Sequence, residues 1–377
     1  MPLELTEEQQ LLRESVERFV ERDYTFDKRT AMLAEDAPFS RELWRHFAEL
    51  GWLGAGLPES AGGYGGGPVE QAVICEALGR AMVLEPFVST AVVGAHALQM
   101  ADNRELADAL MPQLTEGELV VALAYAEQGA RFDLHHVATR ARRSGNTYSL
   151  TGDKIAVLDA PGADKLIVSA RVDDEVRGKD GVALFLVDRD ASGLHVGAFR
   201  TMDGSSAANV TLSQTPAELL VGEGRGLAAL EQCVERGIAA RCAMAAGAMD
   251  TAYMQTLAYL KTREQFGVPI GSFQVLQHRM VDMLIAVREC QSMMLMVADD
   301  VIDPDDAERR AGVAAAKTFV SKRARNVAQD IVQLHGGVGM TEELSIGHFF
   351  RYLTQFGSTY GTAAHHLERY TEITRQH

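Results

Sequence analysis

The hydrophobic pattern changes period twice along the chain. From Thr6 the apolar positions recur every three to four residues, as on one face of a helix. Thr6-Glu7-Glu8-Gln9 reads as a capping box opening a helix through about Val20. A second helix is expected after Ser40, with Leu43, Phe47, Leu50 and Leu53 at helical spacing. Further helices are expected over Val69–Ala81, Ser89–Met100 and Arg104–Glu116, with the glycine-rich stretch Pro58–Pro68 as a surface loop.

Near Glu118 the pattern shifts to short apolar or alternating runs. These are Leu119–Tyr125, Val137–Arg140, Thr147–Thr151, Lys165–Ser169, Gly181–Val187, Leu194–Arg200 and Ala208–Leu212. Turn signals at Ser144-Gly145-Asn146 and Arg177-Gly178-Lys179-Asp180 separate them, so an antiparallel β unit is expected. Helical spacing returns over Leu227–Leu260, Phe273–Val301 and Ala307–Gln333, with Asp303-Pro304-Asp305-Asp306 as a stop followed by a new N-cap. Gly237 and Gly247 are small residues suited to close helix packing, and Met293, Met294 and Met296 read as packing residues. The expected fold is α+β: helical residues 1–117, a β domain over 118–222, and a helical bundle over 223–377.

Composition narrows the function. The 377 residues carry a net charge of −16 and are 47% hydrophobic, enough for a large core. So acidic a chain is not expected to bind nucleic acid or an anionic membrane. No apolar window is long enough to span a bilayer, and the first residues, Met1-Pro2-Leu3-Glu4, do not begin a signal peptide. Cys75, Cys233, Cys242 and Cys290 form no Cys-x-x-Cys pair, so they read as buried thiols in a cytoplasmic protein. The pairs His135-His136 and His365-His366 lack metal-ligand spacing, and no metal site is expected.

Two stretches carry the candidate chemistry. Arg263-x-x-Phe266-Gly267, with Gln274 beyond it, is followed at a distance by Gln333-x-x-Gly336-Gly337-x-Gly339. Glycines there permit close backbone approach, and no Lys-Ser/Thr follows to make a P-loop. At this separation the paired motifs resemble the acyl-CoA dehydrogenase family, and the resemblance spans nearly the whole chain. It implies the fold just described and an FAD lying between the β layer and the C-terminal helices. The ADP half would be gripped by a neighbouring subunit through Arg263, Phe266, Gln274, Gln333, Gly336 and Gly337, with Thr362 also at the cofactor. An acyl-CoA substrate, an electron-transferring flavoprotein as acceptor, and a homo- or hetero-oligomer built as a dimer of dimers are implied in the same way.

The resemblance fails where the flavin ring and the base would sit. The family's Thr-Glu-Pro-x-x-Gly-Ser-Asp reads Ala126-Glu127-Gln128-Gly129-Ala130-Arg131-Phe132-Asp133, and its Trp-Ile-Thr reads Ala156-Val157-Leu158. Tyr360, before Gly361-Thr362, occupies the usual place of the catalytic glutamate, and Gly237 occupies the alternative one. Glu235 lies about 200° round the helix from Gly237. Tyrosine, with a reference pKa of about 10, is a poor base at neutral pH. His365 is the nearest other ionisable group in sequence. The tail also resembles the small, β-type subunits of heteromeric bacterial acyl-CoA dehydrogenases, including those for pimeloyl-CoA and related acids. The expectation is a subunit that desaturates an acyl-CoA with a partner's glutamate. Its rivals are a self-sufficient flavoenzyme (a dehydrogenase with another base, or a monooxygenase) and a non-redox structural subunit.

Overall fold

The structure, a computed structural model, describes residues 5–35, 37–145, 147–173 and 175–375. Asn146 of the expected turn and the first four residues lie outside these. The N-terminal segment supplies α1 (Glu7–Asp23), α2 (Phe26–Ala34), α3 (Arg41–Glu49), α4 (Pro68–Arg80), α5 (Ala95–Gln99) and α6 (Arg104–Thr115). Seven strands follow: β1 (Val121–Ala124), β2 (Arg140–Ser144), β3 (Thr147–Leu158), β4 (Lys165–Arg171), β5 (Val182–Asp188), β6 (Leu194–Arg200) and β7 (Ser206–Val221). The remainder is α7 (Gly226–Thr262), the two-residue strands β8 (Glu264–Gln265) and β9 (Val268–Pro269), then α8 (Gln274–Asp300), α9 (Asp306–His335), α10 (Ser345–Phe356) and α11 (Ala363–Arg375).

The chain divides into two compact units. One comprises Met1–Ala31, Pro68–Val83 and Ile238–His377; the other comprises Met32–Gly67 and Leu84–Gly237. In the first unit helices pass close enough to require glycine. A Cβ on Gly247 would lie 1.9 Å from the Glu76 carbonyl oxygen, and one on Gly79 would lie 2.1 Å from that of Met244. Glycine here lets α4 and α7 meet backbone to backbone. The thiols of Cys75, Cys242 and Cys290 are buried in this unit, and that of Cys233 in the other. Met294 is buried and Met296 is exposed.

In the second unit β4, β2, β3, β7 and β5 pair in a closed ring, with β1 added to β4 and β6 to β7. Most pairings are antiparallel, but β1–β4 and β2–β4 are parallel, so the sheet is mixed rather than wholly antiparallel. Residues 137–139, expected as strand, are not strand. The N–H groups of Ala138 and Thr139 donate to the Glu127 carboxylate instead of to a neighbouring strand. The helix after Ser40 stops at Glu49 because Gly51 turns left-handed, with φ +76, which puts Leu53 in a separate short turn. Val88–Gly94 forms a π-helix rather than an α-helix. Thr90 Oγ1 both donates to and accepts from the backbone of Val121 there. The expected capping box at Thr6 is present.

Candidate active site

Local chain geometry explains how the first motif is displayed. α7 ends at Thr262, and β8 and β9 form a hairpin across Phe266 and Gly267, whose φ angles are +55 and +81. A tight hairpin favours two left-handed residues, but only glycine takes that conformation freely. Phenylalanine there costs about 1–2 kcal/mol. Its ring is nonetheless 91% exposed, with only an edge contact to Phe273 at a centroid distance of 6.1 Å. Backbone strain of this kind is concentrated at functional sites in proteins generally. Arg263 and Gln274 are also exposed, and their side chains hydrogen-bond to nothing among the described residues.

The second motif closes α9. Gly336 has φ 66 and ψ −147, a conformation essentially restricted to glycine. Gly339 is packed: a Cβ there would lie 2.9 Å from His335 Cβ. Gly337 differs from both, because a Cβ would meet nothing within 4 Å. Among the described residues, none lies close enough to require glycine at that position. Gln333 is exposed, and its amide has no partner among the described residues. The two motifs are joined directly, since the His335 ring stacks on Tyr259 at 4.3 Å with the planes 23° apart.

The turn carrying Tyr360 is supported from two sides. Lys317 of α9, 1% exposed, donates from Nζ to the Phe356 carbonyl oxygen at 2.5 Å and sits 3.7 Å from the Phe356 ring centroid. Burial pulls its pKa down to about 8. On the far side of the turn, His366 Nε2 lies 2.9 Å from the Tyr360 carbonyl oxygen. A carbonyl only accepts, so Nε2 carries the proton and Nδ1 a lone pair, which is buried without a partner. Burial, assisted by His365, Lys317 and Arg369, lowers the His366 pKa to about 3. Gly361, at φ +116, could not carry a side chain, since a Cβ would fall 2.5 Å from His366 Nε2. Thr362 Oγ1 accepts the His365 N–H at 3.3 Å, at the start of α11.

Tyr360 is itself left-handed, with φ 58, and half-buried. Gly237 is buried in α7, and Glu235, 2% exposed, is closed off from solvent. Neither expected base position holds a carboxylate.

In the second unit the segment after β1 meets the end of β3. Ile155 N–H donates to the Ala126 carbonyl oxygen at 2.8 Å, so Ala126 and Ala156-Val157-Leu158 are neighbours. Ala156 has φ 49 at an irregularity in the β3–β7 pairing, and its N–H donates to Asn209 Oδ1 at 3.1 Å. Beneath this lies an ion pair not anticipated from the sequence. Lys154, fully buried, donates to Glu127 Oε1 at 2.6 Å and Ser169 Oγ at 3.0 Å. Burial raises the Glu127 pKa, but Lys154, Thr139 and Ala138 outweigh it and leave the carboxyl below its usual range. Burial lowers Lys154 to about 8 against the pull of Glu127. The inward place of Lys154 in an alternating strand was the available signal. Among the described residues, no cluster of His, Cys, Asp or Glu could hold a metal, and no helix is long and apolar enough to cross a membrane.

Comparison with known proteins decides the family. Residues 6–118, 122–215 and 224–372 match the models of the acyl-CoA dehydrogenase N-terminal, middle and C-terminal domains. Acyl-CoA dehydrogenase FadE27 of Mycobacterium tuberculosis is 30% identical, over 88% of this chain and 87% of its own. The chain belongs to the acyl-CoA dehydrogenase family. The probable acyl-CoA dehydrogenase YngJ of Bacillus subtilis is 29% identical, over 93% of each chain. A chain of the ChsE4–ChsE5 complex from Mycobacterium tuberculosis superposes with a TM-score of 0.90 at 28% identity, over 100% of both. This acyl-CoA dehydrogenase homologue is thus an FAD-dependent oxidoreductase of the type acting on CH–CH bonds.

Proposed function

We propose that this chain is one subunit of a cytoplasmic, heteromeric acyl-CoA dehydrogenase, of the small, β-type kind. It would share FAD with a partner subunit whose carboxylate serves as the base. The observation that carries this reading is the contrast between the two parts of the site. Arg263, Phe266, Gln274 and Gln333 are exposed, and the three polar side chains among them are unspent. Tyr360 and Gly237 leave no carboxylate at either base position.

The exposed residues fit the ADP half of FAD. A guanidinium pairs with a pyrophosphate through charge-assisted hydrogen bonds, and two carboxamides add donors and acceptors. Phe266 offers an apolar face. Gly336, whose N–H donates to the Val332 carbonyl, and Gly337 have open space where a side chain would be, and that openness is what a ligand from outside the chain would fill. Thr362, whose hydroxyl accepts at the start of α11, keeps its own O–H to donate. The domain limits expected from the pattern, 1–117, 118–222 and 223–377, are proposed on the same footing.

FAD held by these residues would supply the acceptor for hydride from the β carbon of an acyl-CoA. The accompanying loss of the α proton needs a base within hydrogen-bond reach. Tyrosine, with a reference pKa of about 10, is a poor base at neutral pH, so the proposed base is a carboxylate of the partner. An electron-transferring flavoprotein is the proposed acceptor, and a dimer of dimers the proposed assembly. The two-protein ChsE4–ChsE5 complex, which this chain resembles throughout, supports a heteromeric arrangement.

Reconstitution tests the reading. The chain purified alone should oxidise acyl-CoA esters negligibly with an artificial electron acceptor, and activity should appear with a co-expressed partner. Robust turnover by the homo-oligomer would overturn the proposal.

A further inference from the structure

The two motifs proposed to hold ADP lie far apart in sequence, one beyond the end of α7 and the other at the end of α9. Their spacing must be fixed to within about half an ångström for one ligand to engage both. The contact between them is the Tyr259–His335 stack, at 4.3 Å and 23°. Tyr259 lies one helical turn before Arg263, whose N–H donates to the Tyr259 carbonyl at 2.8 Å. His335 lies between Gln333 and Gly336 and is 7% exposed. The imidazole is locked in rotation, because Nδ1 lies 2.8 Å from the Ile331 carbonyl oxygen, one turn back in α9, and must donate to it. One ring is thus fixed to its own helix and lies nearly parallel to the other, which defines both separation and tilt.

We propose that the Tyr259–His335 stack positions the ADP-binding motifs, setting the distance between the Arg263–Phe266 hairpin and the Gly336–Gly337 turn. This rests on the reading that these motifs hold FAD. The two residues act through the motifs and need not touch the ligand, so they are positioning residues. The stack supplies what neither motif has alone. The hairpin is exposed over residues 261–269, and Gly336 and Gly337 have open space where a side chain would be. Neither is held in place by packing around its own tip.

The test measures FAD and ADP dissociation constants by titration calorimetry on the flavin-stripped assembly, together with its thermal midpoint without ligand. His335→Leu and, independently, Tyr259→Leu should weaken both ligands to a similar degree, by about three- to tenfold, the range expected for losing an aromatic pair. His335→Phe and Tyr259→Phe, which keep two stacked rings, should restore most of that affinity. Lowered thermal midpoints with unchanged dissociation constants would make the stack merely structural and overturn the inference. So would weakening of FAD without weakening of ADP, since the effect would then lie at the flavin ring. Absence of FAD binding by the unaltered assembly is a separate outcome, which refutes the underlying assignment of the motifs.

Discussion

Acid should destabilise this protein through a single histidine. His366 is 2% exposed, with one nitrogen donating to the Tyr360 carbonyl and the other buried without a partner. Protonation must place a charge beside Lys317 and Arg369 with no acceptor for the new N–H, so the folded-state pKa falls from 6.5 to about 3. The unfolded chain therefore takes up the proton first, and stability is lost as pH falls below about 6.5. Each pH unit in that window withdraws about 1.4 kcal/mol. At pH 5 the loss from this group is roughly 2 kcal/mol, approaching 5 kcal/mol near pH 3. The first figure is already a large part of a typical net stability of about 5–15 kcal/mol. Other groups titrate over the same range, so the comparison should be with His366→Gln, whose amide can still donate to Tyr360 and carries no charge. Urea unfolding at pH 7 and pH 5 and fixed protein concentration gives the difference. The wild type should lose about 2 kcal/mol more than the variant between those values. Parallel losses in the two proteins would refute the account of His366.

Two further substitutions test the packing. Gly247→Ala should cost about 3 kcal/mol, because its Cβ would lie 1.9 Å from the Glu76 carbonyl oxygen, a backbone atom that cannot swing away. Gly337→Ala, with open space at the same atom, should leave the apo thermal midpoint nearly unchanged. Lys154→Met should cost about 3–5 kcal/mol by leaving the Glu127 carboxylate buried without its cation, and adding Glu127→Gln should recover part of the loss in urea unfolding.

Periodicity made the long helices legible. The apolar spacing over Leu227–Leu260, Phe273–Val301 and Ala307–Gln333 foretold α7, α8 and α9 to within a few residues, because helices of that length average out local exceptions. β6 was legible to the residue, whereas β7 runs on to Val221, well beyond the expected Leu212. Illegible features came from tertiary bonds. Residues 137–139 have the composition of a strand, yet the N–H groups of Ala138 and Thr139 are claimed by Glu127, eleven and twelve positions earlier, and that of Val137 by the Val176 carbonyl. The parallel course of β1 beside β4 depends on how the chain crosses the sheet, which no local pattern records. The motif residues Arg263, Phe266, Gln333 and Gly337 were named from the sequence. Their exposure was not, nor was the Tyr259–His335 contact that joins the two stretches.

The Tyr360 turn and the two motifs differ in how they are held. Two hydrogen bonds that support the Tyr360 turn act on backbone. Lys317 holds the carbonyl of Phe356, His366 holds that of Tyr360, and Gly361 clears space for the imidazole. These contacts do not use the side chain at position 360. The opposite holds at the two motifs. The side chains of Arg263, Gln274 and Gln333 form no hydrogen bond among the described residues, and Phe266 occupies a strained, exposed site. These four residues contribute little to the stability of this chain and, in the case of Phe266, detract from it. On the proposed reading their rationale is a ligand from outside the chain, whereas the Tyr360 turn is held by bonds within it. The proposal of a shared cofactor draws on this difference, because it needs exposed, unspent groups at the motifs and no carboxylate at position 360.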